Sequence, residues 1–177
     1  YQDTRTVTGK TFHLDGTTAR ISIDGNNTLT LGAGTLVRGR GNVGTVSFLS
    51  GANVLVNQGT IRAGLAGQTR TIDPASFTNQ TAGTLEVSNG AKLVLSATNW
   101  SNAGQVSVTG GSTMDLNSAW SNAGGTVTLD ASSALHLNGN TTTAGLGTIN
   151  NSAGGTVNVN GRIDNAGASL AFGPATG

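Results

Sequence analysis

The sequence predicts an all-β protein, a right-handed parallel β-helix (solenoid) with coils of about 21 residues and three short strands per coil. Three observations favour this fold: a duplicated unit, a constant spacing of apolar residues, and a composition suited to strands and turns. In the duplicated unit four apolar residues recur after 21 positions, Val106, Val108, Met114 and Leu116 becoming Val127, Leu129, Leu135 and Leu137. A fixed period of this length is typical of a solenoid, in which one copy cannot bury its apolar face alone.

The spacing of the duplicated unit is found in five places along the chain. In each place two apolar residues flank one residue of variable type, and the next such pair begins six positions after the first pair ends. The five residues between the pairs are rich in Gly, Asn and Ser, which suit sharp turns. Alternation within each pair places both apolar side chains on one face of a strand. The predicted inward-facing set is Ile21, Ile23, Leu29, Leu31, Val46, Phe48, Val54, Val56, Leu85, Val87, Leu93, Leu95, Val106, Val108, Met114, Leu116, Val127, Leu129, Leu135 and Leu137.

The composition supports short strands joined by tight turns. The 177 residues include 28 glycines, 36% hydrophobic residues and only 10% charged residues. Asn, Ser and Thr compete for backbone hydrogen bonds in helices, and no window shows helical apolar spacing over more than a turn. Residues 1–177 are therefore predicted to be one β-helix domain, which we interpret as a fragment of a longer protein.

Charge and cysteine content exclude several classes of function. The net charge of +1 comes from nine basic and eight acidic residues that are scattered singly. No basic stripe or polybasic segment suggests nucleic acid or direct membrane insertion. Cysteine is absent, so disulfides and thiolate metal sites do not contribute.

Two other all-β architectures fit the pattern less well. A β-sandwich needs longer strands than these, which show only two inward positions each. A left-handed hexapeptide helix would need about 18 residues per coil, fewer than the displacement of 21 observed here.

A third apolar position follows most pairs after about five residues. Leu36, Ile61, Trp100 and Trp120 occupy it. Aromatic platforms bind sugars, but the two tryptophans recur with the period and align with aliphatic residues in other copies. We therefore interpret them as stacked core residues that close the coil.

Asparagine recurs two residues before glycine near the start of most copies, at Asn42, Asn57, Asn102, Asn122 and Asn165. Equivalent residues of a repeating coil lie above one another, so these amides are predicted to hydrogen-bond side chain to side chain or to cap backbone groups.

Two segments break the repeat. Residues 62–76 contain Pro74 and too few apolar residues to place all their strands, and residues 138–148 make Val127 and Val157 lie 30 apart. Insertions in solenoids form loops in which specific binding is common, although a connection without a partner fits equally well.

No catalytic, cofactor-binding or metal-ligating residue is predicted. The eight acidic residues are spread over nearly every coil, whereas a β-helical glycosidase needs clustered carboxylates. Asp115 and His136 occupy equivalent positions in successive copies and are predicted to form an exposed ion pair on the outer face. His13 has no evident partner. The predicted outward column is mixed and polar, comprising Ser22, Ser47, Glu86, Ser107, Thr128 and Asn158.

The Gly- and Asn-rich coils of residues 12–165 resemble the repeats of large Gram-negative exoproteins. The resemblance lies in the phrases at 42–46 and 57–61 (N-x-G-T-[VI]) and in the runs SNAGGTVTL and NNSAGGTVNV. The families concerned are the filamentous-haemagglutinin-like adhesins of two-partner secretion and the passengers of autotransporters.

This resemblance implies a secreted β-helical rod at the bacterial cell surface. The expected function is a stiff structural or adhesive segment without enzymatic activity, whose partners are a glycan or surface-protein ligand and the neighbouring coils of the full-length chain. The alternative is a carbohydrate-active β-helix, a polysaccharide hydrolase or lyase, with its site in the 62–76 or 138–148 segment.

Overall fold

The computed structural model describes residues 1–46, 51–151 and 153–169, which form short strands and one 3₁₀ turn. The strands, in chain order, are β1 (Arg5–Val7), β2 (Thr11–Leu14), β3 (Arg20–Ser22), β4 (Thr28–Leu31), β5 (Leu36–Gly39), β6 (Gly41–Gly44), β7 (Val54–Asn57), β8 (Thr60–Ala63), β9 (Thr69–Asp73), β10 (Ser76–Asn79), β11 (Thr84–Val87), β12 (Lys92–Leu95), β13 (Asn99–Asn102), β14 (Gln105–Val108), β15 (Thr113–Leu116), β16 (Ala119–Ser121), β17 (Thr126–Leu129), β18 (Ala134–Leu137), β19 (Asn140–Thr142), β20 (Thr148–Asn150), β21 (Thr156–Val159) and β22 (Arg162–Asp164). The 3₁₀ turn spans Ala144–Leu146. None of these elements is a helix long and apolar enough to cross a bilayer.

The strands form three parallel sheets that wind into a solenoid. Sheet A has the order β1-β4-β7-β10-β13-β16-β19-β22, sheet B the order β2-β5-β8-β11-β14-β17-β20, and sheet C the order β3-β6-β9-β12-β15-β18-β21. Every third strand therefore returns to the same sheet one coil higher. The predicted all-β class, parallel stacking and three strands per coil are confirmed.

The interior is a stack of buried aliphatic side chains contributed by all three sheets. Leu93, Met114 and Leu135 lie opposite one another on successive strands of sheet C, and Leu85, Val106 and Val127 do so on sheet B. All six are essentially excluded from solvent. Each such burial contributes about 1.5–3 kcal/mol, and because every coil covers its neighbour, the stabilisation grows with the number of coils.

The five predicted copies are not equivalent in the structure. The copies that begin at Leu85, Val106 and Val127 each span sheets B and C, whereas the copy that begins at Ile21 spans sheets C and A. The corner between β3 and β4 (residues 23–27) is similar in length to the corner between β14 and β15 (residues 109–112), so one spacing fits two different pairs of sheets.

Part of the predicted inward set is wrong. On β7 the buried residues are Leu55 and Asn57, while Val54 and Val56 face outward and are partly exposed. The apolar pattern fails on β7 because a polar residue, Asn57, occupies one of its two inward positions. Phe48 lies outside the described residues.

The two segments predicted to be irregular belong largely to the stack. Residues 62–76 contain β9, which pairs with β6 and β12 in register. Arg70 occupies an inward position of β9, and because this residue is charged, the strand lacks the apolar alternation that predicts the other strands. Residues 138–148 contain β19 and the 3₁₀ turn. Val157 lies opposite Leu135, 22 residues earlier, rather than opposite Val127.

The largest change in coil length lies elsewhere. Asn42 lies opposite Thr71, a displacement of 29 residues, against 21 for Thr113 opposite Ala134. The extra residues fall in the 45–53 connection between β6 and β7, within which 47–50 lie outside the described part of the chain.

Candidate functional site

The most regular polar feature is a column of four asparagines at the corner where the chain passes from sheet A to sheet B. Asn57 Nδ2 donates to Asn79 Oδ1 (2.7 Å), Asn79 Nδ2 to Asn102 Oδ1 (2.7 Å), and Asn102 Nδ2 to Asn122 Oδ1 (2.6 Å). We call this column the amide ladder. All four side chains are at most 1% exposed.

The amide ladder also binds the backbone of its corners. Asn102 donates from Nδ2 to the carbonyl of Gly104 (3.3 Å) and accepts at Oδ1 from the Gly104 amide (3.1 Å). At the upper end, Asn122 Nδ2 donates to the carbonyls of Leu146 and Thr148. Each amide therefore satisfies polar groups that a buried corner would otherwise leave unpaired.

The prediction of stacked amides is confirmed for Asn57, Asn102 and Asn122, and it is wrong for Asn42. Asn42 lies on sheet C, where its Nδ2 donates to Asp73 Oδ2 (3.3 Å). Asn165 is exposed and accepts from Thr143 Oγ1 (2.5 Å), outside the ladder. Asn79 was missed because its corner is longer, so its glycine, Gly83, follows four residues later instead of two.

Trp100 and Trp120 are interior residues, as predicted. They lie opposite each other on β13 and β16, with ring centroids 5.7 Å apart and planes 12° from parallel, and each is 5% exposed. Below them on sheet A lies Phe77, opposite Trp100. The predicted alignment with Leu36 and Ile61 is wrong, since both of those residues belong to sheet B.

The predicted pair of Asp115 and His136 exists on the outer face of sheet C and has a third member. Asp115 Oδ1 lies 2.9 Å from His136 Nδ1, and Asp115 Oδ2 lies 2.6 Å from Lys92 Nζ. The Asp115 side chain is only 12% exposed, so it is more enclosed than the predicted exposed pair. The Asp115 carboxylate therefore forms an ion pair with the Lys92 ammonium and a hydrogen bond with His136.

The predicted outward column is divided between sheets. Glu86, Ser107 and Thr128 do follow one another on sheet B, with Arg62 below them paired to Glu86. Ser22 and Asn158 lie on sheet C, and Ser47 lies outside the described residues. His13 is exposed on β2, opposite Arg38.

The pKa values of Asp130 and Asp73 are shifted in opposite directions. Hydrogen bonds from the Ser133 side chain, from the Gly110 amide and from Ser132 hold the pKa of Asp130 at about 2. Burial raises the pKa of Asp73, whose Oδ1 has no hydrogen-bond partner in the described part of the chain. Among the described residues, no three His, Asp or Glu side chains lie close enough together to hold a metal ion.

A shallow groove runs along the corner between sheets A and B. Ala33, Gln58, Thr78, Gln80 and Ala82 line it, and Gln58 Nε2 donates to Gln80 Oε1 (2.7 Å). The groove, which we call the corner groove, offers amides, the hydroxyls of Thr78 and Thr81, and small apolar side chains, but no charged group.

Comparisons of the chain with protein-family models, with curated proteins and with solved structures found no match.

Proposed function

We propose that this chain is a structural and adhesive segment of a secreted bacterial cell-surface exoprotein, a stiff spacer that carries contact surfaces and performs no catalysis. The observation that carries the proposal is the continuity of the three sheets, which run through every described coil. Seven coils at about 4.8 Å each form a rod about 30–35 Å long.

Stiffness follows from the way in which each coil is held. Neighbouring coils share backbone hydrogen bonds on three faces and a common apolar interior, and four successive coils also share the amide ladder. Bending the rod would require these three sets of contacts to open on one side together. Such a construction suits a spacer that holds a contact surface away from the cell.

The contact surface that we favour is the corner groove with the adjoining outer face of sheet A. Strands β4, β7, β10, β13, β16 and β19 contain no charged residue, and their outward side chains are Thr, Ser, Val, Asn and Ala. Neutral hydroxyl and amide groups donate and accept hydrogen bonds and can therefore pair with the hydroxyl groups of an uncharged glycan. We therefore expect a neutral glycan, or a surface protein with a comparably uncharged patch.

Binding to a panel of neutral glycans and matrix proteins tests the contact surface. Gln80→Arg places a bulky charge in the corner groove, and Thr128→Arg, the matched control, adds the same charge to the exposed face of sheet B. We expect Gln80→Arg to abolish binding and Thr128→Arg to retain it. Equal loss in both variants, or binding to no panel member, would overturn the adhesive part of the proposal.

Incubation with polysaccharides tests the absence of catalysis. The rival function is a polysaccharide hydrolase or lyase, and Asp115, between His136 and Lys92, is the carboxylate best surrounded by potential proton donors and acceptors. We expect no turnover. Turnover that Asp115→Asn abolishes would show that the segment is an enzyme.

A further inference from the structure

Arg70 is a charged residue in the apolar interior. It lies on β9 with its side chain directed inward, opposite Leu93 on one side and Gly41 on the other, and it is completely excluded from solvent. Its Nε donates to the carbonyl of Arg62 (3.2 Å), but Nη1 and Nη2 have no hydrogen-bond partner among the described residues. These two nitrogens carry four N–H donors.

The backbone pairing between β5 and β8 is interrupted beside this guanidinium. Pairing between β5 and β8 ends at Val37 and Ile61, so the Arg62 carbonyl is available to Arg70 instead of continuing the ladder. Below, β5 and β6 are joined by the single residue Arg40, whereas five residues, 64–68, join β8 and β9. A wide corner therefore lies over a narrow one. Gly41 contributes no side chain beneath Arg70, and the next residue of β8, Ala63, contributes only a methyl group.

Within the part of the chain that the structure describes, no acidic residue forms an ion pair with the buried guanidinium. Burial lowers the pKa of Arg70 to about 10, so the group remains a cation at neutral pH, and no carboxylate contributes to this shift. Three neighbours in the fold are also basic: Arg40 in the corner below, Arg62 on β8, and Lys92 beside Leu93. Asp73, three residues further along β9, faces outward and accepts a hydrogen bond from Asn42. Glu86, the nearest acid on sheet B, is engaged by Arg62 on the outer face.

We propose that the interior of the solenoid at Arg70 binds one small monovalent inorganic anion, of which chloride is the most available. Water would accept hydrogen bonds from Nη1 and Nη2 but would leave the charge uncompensated, and a buried uncompensated charge is strongly unfavourable. Because both nitrogens are shielded from solvent, the anion enters when the coils assemble or open. It is therefore linked to folding, as a structural metal is in other proteins.

Chloride dependence of unfolding tests the proposal. The chain is unfolded with urea while gluconate is replaced by chloride at constant sodium concentration. Binding of one anion to the folded state predicts that, above the dissociation constant, the folding equilibrium constant rises about tenfold for each tenfold increase in chloride. Arg70→Met, which keeps an unbranched apolar side chain, should lose this dependence. Arg38→Met, which removes an exposed arginine from β5, should keep it.

A crystallographic measurement on the unmodified chain makes the test independent of whether Arg70→Met folds. Crystals grown in bromide should show an anomalous peak in contact with Nη1 and Nη2. Water in that position without anomalous signal, or a chloride dependence that is the same in Arg70→Met and the unmodified chain, would overturn the proposal.

Discussion

Removal of one member of the amide ladder should destabilise the whole solenoid. Asn102→Ala deletes four hydrogen bonds: those with Asn79 and Asn122, and the two with the Gly104 backbone. At about 1 kcal/mol each, the free energy of unfolding should fall by about 4 kcal/mol, because the groups left behind remain buried. A domain of this kind has about 5–15 kcal/mol in total.

Urea unfolding followed by far-UV circular dichroism measures this loss. With a slope of about 2 kcal/mol per molar urea, the midpoint should fall by about 2 M.

Asn138→Ala is the matched control for this experiment. Asn138 belongs to a second, exposed column, donating to Asn117 Oδ1 (3.0 Å) and accepting from Asn160 Nδ2 (2.9 Å). Water replaces these partners after truncation, so the expected cost is within about 0.5 kcal/mol. Equal costs for the two variants, or a cost below about 1 kcal/mol for Asn102→Ala, would refute the argument that burial makes the ladder stabilising.

Three further predictions concern the core, the close approach of coils, and pH. Trp120→Leu should lose about 2–4 kcal/mol and the near-UV circular dichroism of the stacked pair with Trp100; an unchanged spectrum would contradict the stack. Gly104→Ala should lower the free energy of unfolding by about 2–3 kcal/mol, because a Cβ there would lie 2.2 Å from a carbonyl oxygen of the coil below. The control is Gly64→Ala, where the nearest neighbour of the Cβ is a side-chain hydroxyl at 3.3 Å, and it should change the stability by about 0.5 kcal/mol or less. Equal melting temperatures for the two variants would contradict this difference. Asp73→Asn should stabilise the protein at pH 7, because burial raises the pKa of Asp73 above 3.8 and ionisation of this carboxyl therefore opposes folding. The gain in the free energy of unfolding should vanish below pH 3.8, where the carboxyl is protonated in both the folded and the unfolded state. A gain that persisted below pH 3.8 would have another cause.

The fold class was predictable because period and alternation are properties of the backbone. Leu85, Val106 and Val127 lie in one column, as their spacing indicated. The assignment of strands to sheets was less predictable, since the spacing from Ile21 to Leu31 is the same as that from Val106 to Leu116 although the sheets differ.

The errors occurred where polar residues occupy inward positions. Arg70 and Asn57 face the interior, so an apolar pattern could not locate their strands, and Asn79 departs from the spacing that identified the other amides. For the outer face, the sequence correctly paired Asp115 with His136 but could not reveal Lys92, which lies in a different column one strand away. Contacts across columns depend on side-chain length and direction, which the repeat does not encode.

Three buried asparagines lie at three different corners of the coil, so the sequence repeat can be displaced relative to the three sheets by one strand, a third of a turn. Asn122 occupies the corner between sheets A and B, Asn151 the corner between B and C, and Asn53 the corner between C and A. The similar runs that contain Asn122 and Asn151 therefore serve different sides of the coil. Gain or loss of one strand with its corner would move every later strand to the next of the three sheets without breaking the stack. Such a rod would change its length by one third of a coil and would present a different sheet to its surroundings.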